Sequence, residues 1–385
     1  MKMSEVSGSG SVPLNGFVDL FETQPVVVRN GMTLFRTGYV DSNVANYPQA
    51  TQMPWLYPPG DLTGSLTTLA GNIQTSVFEY RFSRLILAWS AASSTGSFGI
   101  RSSSDLNNFS DNTTATLTIQ SSSAPTLVWD SVGSVLHCYV ANHGNRFNTS
   151  NGTSWTTTAL SGLAGHVIDV IRTPTIWVAL TSAGIYSSSD GVSWTQRQAW
   201  TADAVADNGK LAIDGSNNIV AMLANKSVYY SSVNGTSWVS QNCPANHVSV
   251  GHVAFGDSKW QTAFKNTVTN TVLAATSTNF TSWTLGSTGG VVGRWNSTLG
   301  VWMGDPRFGA TYGQSYSKDG LNWITAASTI PMVGAWTVVS GKVFGLRIGG
   351  GNYLFNNASH LGSVVGLPYS IGTVSINANK YLRVK

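Results

Sequence analysis

The sequence predicts an all-β fold: a seven-bladed β-propeller, with six blades as the competing count, preceded by an extended N-terminal arm. Three observations carry this. A short polar turn of the type Ser-x-Asp-Gly-x-x-Trp recurs through the middle of the chain. Its copies are evenly spaced. Each copy follows short apolar runs separated by polar turns, and no segment has a helical period.

The clearest copy is Ser188-Ser189-Asp190-Gly191-Val192-Ser193-Trp194, and Ser317-Lys318-Asp319-Gly320-Leu321-Asn322-Trp323 matches it. Ser232-Val233-Asn234-Gly235-Thr236-Ser237-Trp238 has Asn for Asp, and Thr149-Ser150-Asn151-Gly152-Thr153-Ser154-Trp155 has Thr for Ser as well. Two looser copies lack the Gly: Ser277-Thr278-Asn279-Phe280-Thr281-Ser282-Trp283, and Ser103-Ser104-Asp105-Leu106-Asn107-Asn108-Phe109. The Asp or Asn anchors at 105, 151, 190, 234, 279 and 319 lie 46, 39, 44, 45 and 40 residues apart. A four-stranded blade takes about 40–45 residues.

The residue types have a local reason. Asp-Gly and Asn-Gly favour a hairpin because the turn needs positive φ, which Gly supplies without steric cost. Asp or Asn bonds to backbone groups two residues on, and the preceding Ser or Thr offers a second bond across the turn. The Trp begins the returning strand and can cover the turn. Where Gly is missing, at Leu106 and Phe280, a different turn or a longer loop is expected.

Strand-like runs precede each turn. The nearer set is Leu87-Ala88-Trp89, His137-Cys138-Tyr139, Trp177-Val178-Ala179, Val220-Ala221-Met222, Trp260-Gln261-Thr262 and Val301-Trp302-Met303. The earlier set includes Leu127-Val128-Trp129, Leu211-Ala212-Ile213 and Val253-Ala254-Phe255. Six units carry the motif. A seventh is visible by pattern, in Ala335–Val339, Val343–Leu346 and Tyr353–Phe355, with its turn near Asn356-Asn357. The expected propeller spans residues 76–367, and ring closure protects most of its strand edges.

Residues 1–75 lack the repeat. Ser7-Gly8-Ser9-Gly10-Ser11 reads as a tether. The aromatic and Pro-rich stretch after it, with Trp55-Leu56-Tyr57-Pro58-Pro59-Gly60, reads as an ordered arm for attachment or assembly. Residues 368–385 are expected to close the chain. Val374–Ile376 and Tyr381–Val384 each suit a strand, one of which could complete a blade by pairing with the first.

Composition narrows the function classes. Charged residues make up 10% of the 385, against about 25% in an average soluble domain. Ser, Thr, Asn and Gly must keep the surface soluble, a profile that suits extracellular or particle-bound β-proteins. The net charge of +4 comes without any run of Lys or Arg, so nucleic acid is not an expected partner. Cys138 and Cys243 are too few for a disulfide scaffold and read as buried thiols. No apolar stretch is long enough for a membrane span, and the opening residues lack the apolar region of a secretory signal. A component of a phage particle, released by lysis, reconciles that opening with the composition.

The recurring turn resembles the Asp-box, or BNR repeat, whose pattern is Ser-x-Asp-x-Gly-x-x-Trp; here the residue between Asp and Gly is missing. Asp-boxes occur in sialidases, photosystem assembly factors, sortilin-type receptors, glycosidases and phage tail proteins. There the box is a structural hairpin away from the site. The resemblance therefore implies a structural role for Asp105, Phe109, Asn151, Trp155, Asp190, Trp194, Asn234, Trp238, Asn279, Trp283, Asp319 and Trp323, and no catalytic, cofactor-binding or metal-binding residue is assigned. Leu34-Phe35-Arg36-Thr37-Gly38 with Ala45-Asn46-Tyr47-Pro48, and the closing Lys380–Lys385, resemble segments of phage tail and tail-fibre proteins.

A sialidase-like enzyme needs converging arginines for the substrate carboxylate, and glycosidases need paired carboxylates. The sialidase Phe/Tyr-Arg-Ile-Pro segment is absent, Phe35-Arg36-Thr37-Gly38 departing at its last two positions. Glu79 is the single glutamate of the expected propeller. The histidines show no metal-ligand spacing, and His247 and His252 do not share a strand face.

Binding remains. The sequence reading is a receptor-binding component of a phage tail: a virion protein, with an extracellular one as alternative. Residues 1–75 would attach it to other tail proteins, and the propeller would be displayed as part of a homo-oligomer. Exposed aromatics such as Trp200, Trp295 and Tyr312 would stack on a host-surface glycan. The alternative is an Asp-box glycoside hydrolase of sialidase type. No cofactor and no membrane insertion are expected.

Overall fold

The computed structural model describes residues 17–19, 33–38, 73–91, 96–104, 109–117, 125–141, 144–200, 208–287, 290–297, 300–304, 315–325, 333–339, 342–347, 353–357, 368–369 and 380–384. Among them all regular structure is β. Strands β1 (Phe17–Asp19) and β2 (Thr33–Gly38) come first. Six quartets follow: β3 (Ile73–Arg81), β4 (Arg84–Ala91), β5 (Gly96–Ser103) and β6 (Ser110–Leu117); β7 (Thr126–Asp130), β8 (Val135–Tyr139), β9 (Asn145–Thr149) and β10 (Thr156–Ala159); β11 (Val167–Arg172), β12 (Trp177–Thr181), β13 (Gly184–Ser188) and β14 (Thr195–Ala199); β15 (Gly209–Ile213), β16 (Ile219–Leu223), β17 (Val228–Ser232) and β18 (Val239–Asn242); β19 (His247–Gly256), β20 (Lys259–Asn266), β21 (Val272–Ser277) and β22 (Thr284–Leu285); β23 (Gly293–Asn296), β24 (Val301–Gly304), β25 (Ser315–Ser317) and β26 (Ile324–Thr325). Then come β27 (Val333–Val339), β28 (Lys342–Arg347), β29 (Tyr353–Asn357), β30 (Pro368–Tyr369) and β31 (Lys380–Val384).

The chain divides into two compact units. One is Leu62–Val339 with Phe344–Phe355, and it holds the repeat. Each quartet forms its own antiparallel sheet with strands in chain order, and β27-β28-β29 form a three-stranded one. The first strands of successive sheets pack side by side, β3 on β7, β7 on β11, β11 on β15, β15 on β19 and β19 on β23. The first strand of the three-stranded sheet, β27, packs on β3.

Among the described residues this unit has no single core. Its buried side chains form separate clusters, each between two neighbouring sheets. Ile86, Ala88, Phe98 and Ile100 meet Leu136, Cys138 and Phe147. Val128 and Tyr139 meet Val170, Trp177, Ala179 and Tyr186. Ile168, Val178, Leu180 and Ile185 meet Leu211, Ile219, Ala221 and Leu223. Ala212, Val220, Met222 and Tyr229 meet Val253, Trp260, Phe264 and Ala275. Strand side chains point alternately to the two faces. In β12, Trp177 and Ala179 therefore serve the cluster behind while Val178 and Leu180 serve the cluster ahead. A strand covered on both faces reads as a continuous apolar run, which is why β12 and β16 look so unlike the outer strands. Outer strand β10 is Thr-Thr-Thr-Ala and β14 is Thr-Gln-Arg-Gln-Ala, both largely exposed.

The second unit is Met1–Asp61, Ser340–Val343 and Asn356–Lys385. Its described strands form one sheet in the order β1-β31-β2-β30. The register pairs Phe17 with Leu382, Leu34 with Arg383, Phe35 with Leu382 and Arg36 with Tyr381. The closing strand Lys380–Val384 thus pairs with the N-terminal segment and not with a strand of the repeat, which corrects its expected place in a blade. The other segment considered for that place, Val374–Ile376, lies outside the described residues.

Candidate functional site

The motif residues come together turn by turn. In the third sheet the amides of Val192 and Ser193 each donate to Asp190 Oδ1 at 2.8 Å, and Gly191 N donates to Ser188 Oγ at 2.8 Å. Asn151 accepts from Thr153 N and Ser154 N, both at 2.9 Å, and Asn234 from Thr236 N at 2.9 Å and Ser237 N at 3.1 Å. Asp319 accepts from Leu321 N at 2.9 Å and Asn322 N at 2.8 Å. One side-chain oxygen thus satisfies two backbone donors, and an amide does this as well as a carboxylate. Asp190 shows the energetic trace. Partial burial pushes its carboxyl up, but the Ser193 and Val192 amides and the Ser188 hydroxyl outweigh that and hold it at about 2. Asp105 lies outside the described residues, and Phe109 is half-buried just before β6.

Asn279 keeps the same pattern although its neighbour is not Gly: Thr281 N and Ser282 N donate to its Oδ1 at 3.1 and 2.9 Å. The expected change of turn does not occur there. Phe280 takes the left-handed conformation itself, with φ of 49°, at a cost of roughly 1–2 kcal/mol. Its ring packs edge-on against Trp260, with centroids 5.8 Å apart, which offsets that cost.

The turns also reach outward, a role the motif does not display. The carbonyl at the Gly position accepts a bond from the preceding sheet in four turns. Asn112 Nδ2 donates to Gly152 O at 2.7 Å, Tyr139 OH to Gly191 O at 3.1 Å, Tyr229 OH to Phe280 O at 2.8 Å, and Gln261 Nε2 to Gly320 O at 3.4 Å. The motif tryptophans divide by partner. The Trp238 and Trp323 indoles donate to their own turn's Gly carbonyl at 3.2 and 3.1 Å, and the Trp283 indole to Tyr229 OH at 2.9 Å. Trp194 is buried and Trp155 half-buried.

Several charged groups sit in separate ion pairs. Glu79 pairs with Arg81 at 3.1 Å, Asp130 with Arg172 at 3.4 Å, and the buried Asp169 with Lys210 at 2.8 Å. Asp169 also accepts from Leu211 N at 2.9 Å, tying the first strands of the third and fourth sheets. Burial raises Glu79 despite Arg81 and Arg294. Arg172 and Arg146 lie 5.2 and 5.9 Å from the Trp177 ring. His137 stands edge-on to that ring at 5.0 Å, and burial, aided by Arg146 against Asp130, lowers it to about 4. Apart from the Glu79–Arg81 pair within β3, these ion pairs join sheets, and none of them sets two carboxylates facing each other. Among the described residues no three His, Cys, Asp or Glu converge on a metal-sized site.

Of the aromatics considered for binding, Trp295 packs at a tilt against Trp302, with centroids 5.6 Å apart, and Tyr312 lies outside the described residues. Trp200 is different. It lines a cleft of about 140 Å³ with Gln198, Ala199, Leu223, Lys226, Val228 and Tyr230. These residues come from the end of β14 and from both sides of the β16–β17 turn. In an antiparallel quartet that is the end opposite the motif turns, which lie between third and fourth strands. The Trp200 indole is fixed by a bond to Thr181 O at 2.8 Å, and its ring lies 4.9 Å from Tyr230. Sequence periodicity marks both as aromatic but not as neighbours, because they lie on different sheets.

No protein-family model matches the chain, and no curated protein is similar to it in sequence. Solved structures do resemble it. YCF48 from Cyanidioschyzon merolae is 14% identical over 75% of this chain and 97% of its own, with a TM-score of 0.50. Virginiamycin B lyase from Staphylococcus aureus is 7% identical over 76% of this chain and 97% of its own, with a TM-score of 0.54. The β-propeller domain of Cps50 (Swd1) from Myceliophteria thermophila is 9% identical over 78% and 99%, with a TM-score of 0.51.

The fold is a β-propeller. At these identities the likeness extends to the fold alone. None of these structures is a phage tail protein or a glycosidase, and the expected phage role, with its sialidase-like alternative, is corrected accordingly. Two of the segments that suggested a tail protein, Leu34–Gly38 and Lys380–Val384, are partners within one small sheet, so their character reflects strand pairing.

Proposed function

We propose that this chain is a protein-binding propeller of seven blades, whose cleft between the third and fourth sheets receives an extended segment of a partner protein. The cleft is the observation that carries this. It is apolar below, polar at its rim, and sits at the sheet ends opposite the motif turns. A preformed concave site with a few placed polar groups is the usual form of a binding pocket. YCF48, a propeller with a TM-score of 0.51 and 16% identity, has been solved bound to D1 peptide, which supports the capacity of such a fold to hold a peptide. The three-stranded sheet β27-β28-β29 supports the blade count as the seventh unit. The turns are read as Asp-box hairpins shortened by one residue, a reading supported by their paired amide-to-Asp/Asn bonds.

Selection of displayed random peptides on the purified full chain tests this. Binders should weaken about tenfold or more when Ala199→Leu fills the cleft, the scale of a lost hot spot. They should be unaffected by Asn322→Ala at the opposite sheet end. Binders indifferent to Ala199→Leu would refute the proposal. Ala199 is exposed, so this change removes no buried contact.

A further inference from the structure

Resting on that reading, we infer that the cleft is a socket for one aromatic side chain, selecting partner segments in which a Phe or Tyr stands beside an Asp or Glu. The volume sets the first half of the specificity. About 140 Å³ is close to the roughly 150 Å³ engineered cavity that admits benzene, so a single six-membered ring fills it. The walls suit a ring. Leu223 and Ala221 are buried beneath, and Val228 flanks them. Trp200 and Tyr230 are inclined at 56° with centroids 4.9 Å apart, so an entering ring meets one edge-on and the other offset, the two favoured arrangements.

Charge sets the second half. The lining holds one cation, Lys226, and no acid. The backbone around it is held in place. Lys226 O accepts from Ser249 N at 2.8 Å and from Cys243 Sγ at 3.4 Å. Asn225, in the left-handed conformation with φ of 60°, donates its N–H to Ser249 O at 2.8 Å. An isolated antiparallel bridge joins Ala224 to Val250. The rim cation is therefore carried by a turn tied to the fifth sheet, and a turn already ordered spends less affinity on binding. At the other rim Gln198 Nε2 donates to Ala199 O at 3.0 Å, which fixes the amide. A carboxylate next to the inserted ring meets Lys226, while a Lys or Arg there meets like charge.

The experiment sequences the binders from a displayed octapeptide library on the full chain, then measures synthetic versions by calorimetry. Enriched sequences should carry Phe or Tyr beside Asp or Glu. Replacing the ring by Ala should weaken binding about tenfold or more. Replacing the acid by its amide should weaken it about threefold, an effect that fades near 0.5 M salt because a rim ion pair is screened. Lys226→Glu should redirect selection toward Lys or Arg beside the ring. Binders lost in Ala199→Leu that lack an aromatic, or a selection that Lys226→Glu leaves unaltered, would overturn the socket and leave the protein-binding reading standing. Binders insensitive to Ala199→Leu would overturn that reading itself. Free phenylacetate binding as tightly as the peptides would replace the protein partner with a small aromatic acid.

Discussion

Replacing Tyr229 by Phe removes one oxygen and should cost this propeller more than its size suggests. The Tyr229 hydroxyl donates to Phe280 O at 2.8 Å and accepts the Trp283 indole N–H at 2.9 Å, so its loss strands a carbonyl and a donor at once. A buried polar group left without a partner costs about 1–3 kcal/mol. Both groups are part-buried, which places the sum at about 2–3 kcal/mol. At roughly 2 °C per kcal/mol for a unit of this size, Tm should fall by about 4–6 °C. Tyr139→Phe is the natural comparison, because Tyr139 is equally buried and bonds the equivalent carbonyl, Gly191 O, at 3.1 Å. There Arg146 Nη1 also donates to Gly191 O at 3.1 Å, so the acceptor keeps a partner. The cost of that second change should stay under about 1 kcal/mol. Calorimetric melts of the two variants decide the matter. Equal melting points, or a larger drop for Tyr139→Phe, would refute the reasoning that stranded partners set the cost.

Three further outcomes are expected. Asp190, held at about 2, and Asp319, also held below the ordinary carboxyl value, contribute stability that is full above about pH 4 and is lost as each carboxyl takes up a proton in acid. The double Asn variant should match the parent at neutral pH and flatten that acid slope in urea titrations, since Asn151 and Asn234 already build the same turn. Asp169→Ala should cost about 3–5 kcal/mol by denaturant unfolding, because it leaves Lys210 and Leu211 N without their carboxylate. Gly191→Ala should cost about 2 kcal/mol or more, since φ is 70° and an added Cβ would lie 2.6 Å from Arg146 Nη1. Gly215→Ala, with open space around it, should be close to neutral in the same melts.

Much of the fold was legible because its signals are local. The turn motif spans seven residues, its bonds run two or three residues forward, and the strands before it alternate between two buried faces. Three tryptophans of the strand-like runs, Trp177, Trp260 and Trp302, are among the largest fully buried side chains. Phe280 was misread because Gly is the cheap answer to a positive φ, and the compensation sits on Trp260, twenty residues back on another strand. The latches of Asn112, Tyr139, Tyr229 and Gln261 were invisible for a similar reason, as each donor is 40 to 59 residues from its acceptor. The cleft depends on two rings from different sheets, and no pattern along one strand announces such a pair. The phage reading rested on short end segments whose composition suits a paired strand in many settings.

Because each apolar cluster described in the repeat belongs to only two neighbours, the unit's stability there is a sequence of nearest-neighbour couplings more than one common pool. A cavity cut at Leu136 loosens the first two quartets while the packing around Met222 and Phe264 stays intact, and amide exchange would register that as a gradient along the chain. The same arrangement makes whole quartets interchangeable in descent. One can be copied or discarded without redesigning a shared interior, and only the circumference that brings β27 back to β3 has to be adjusted.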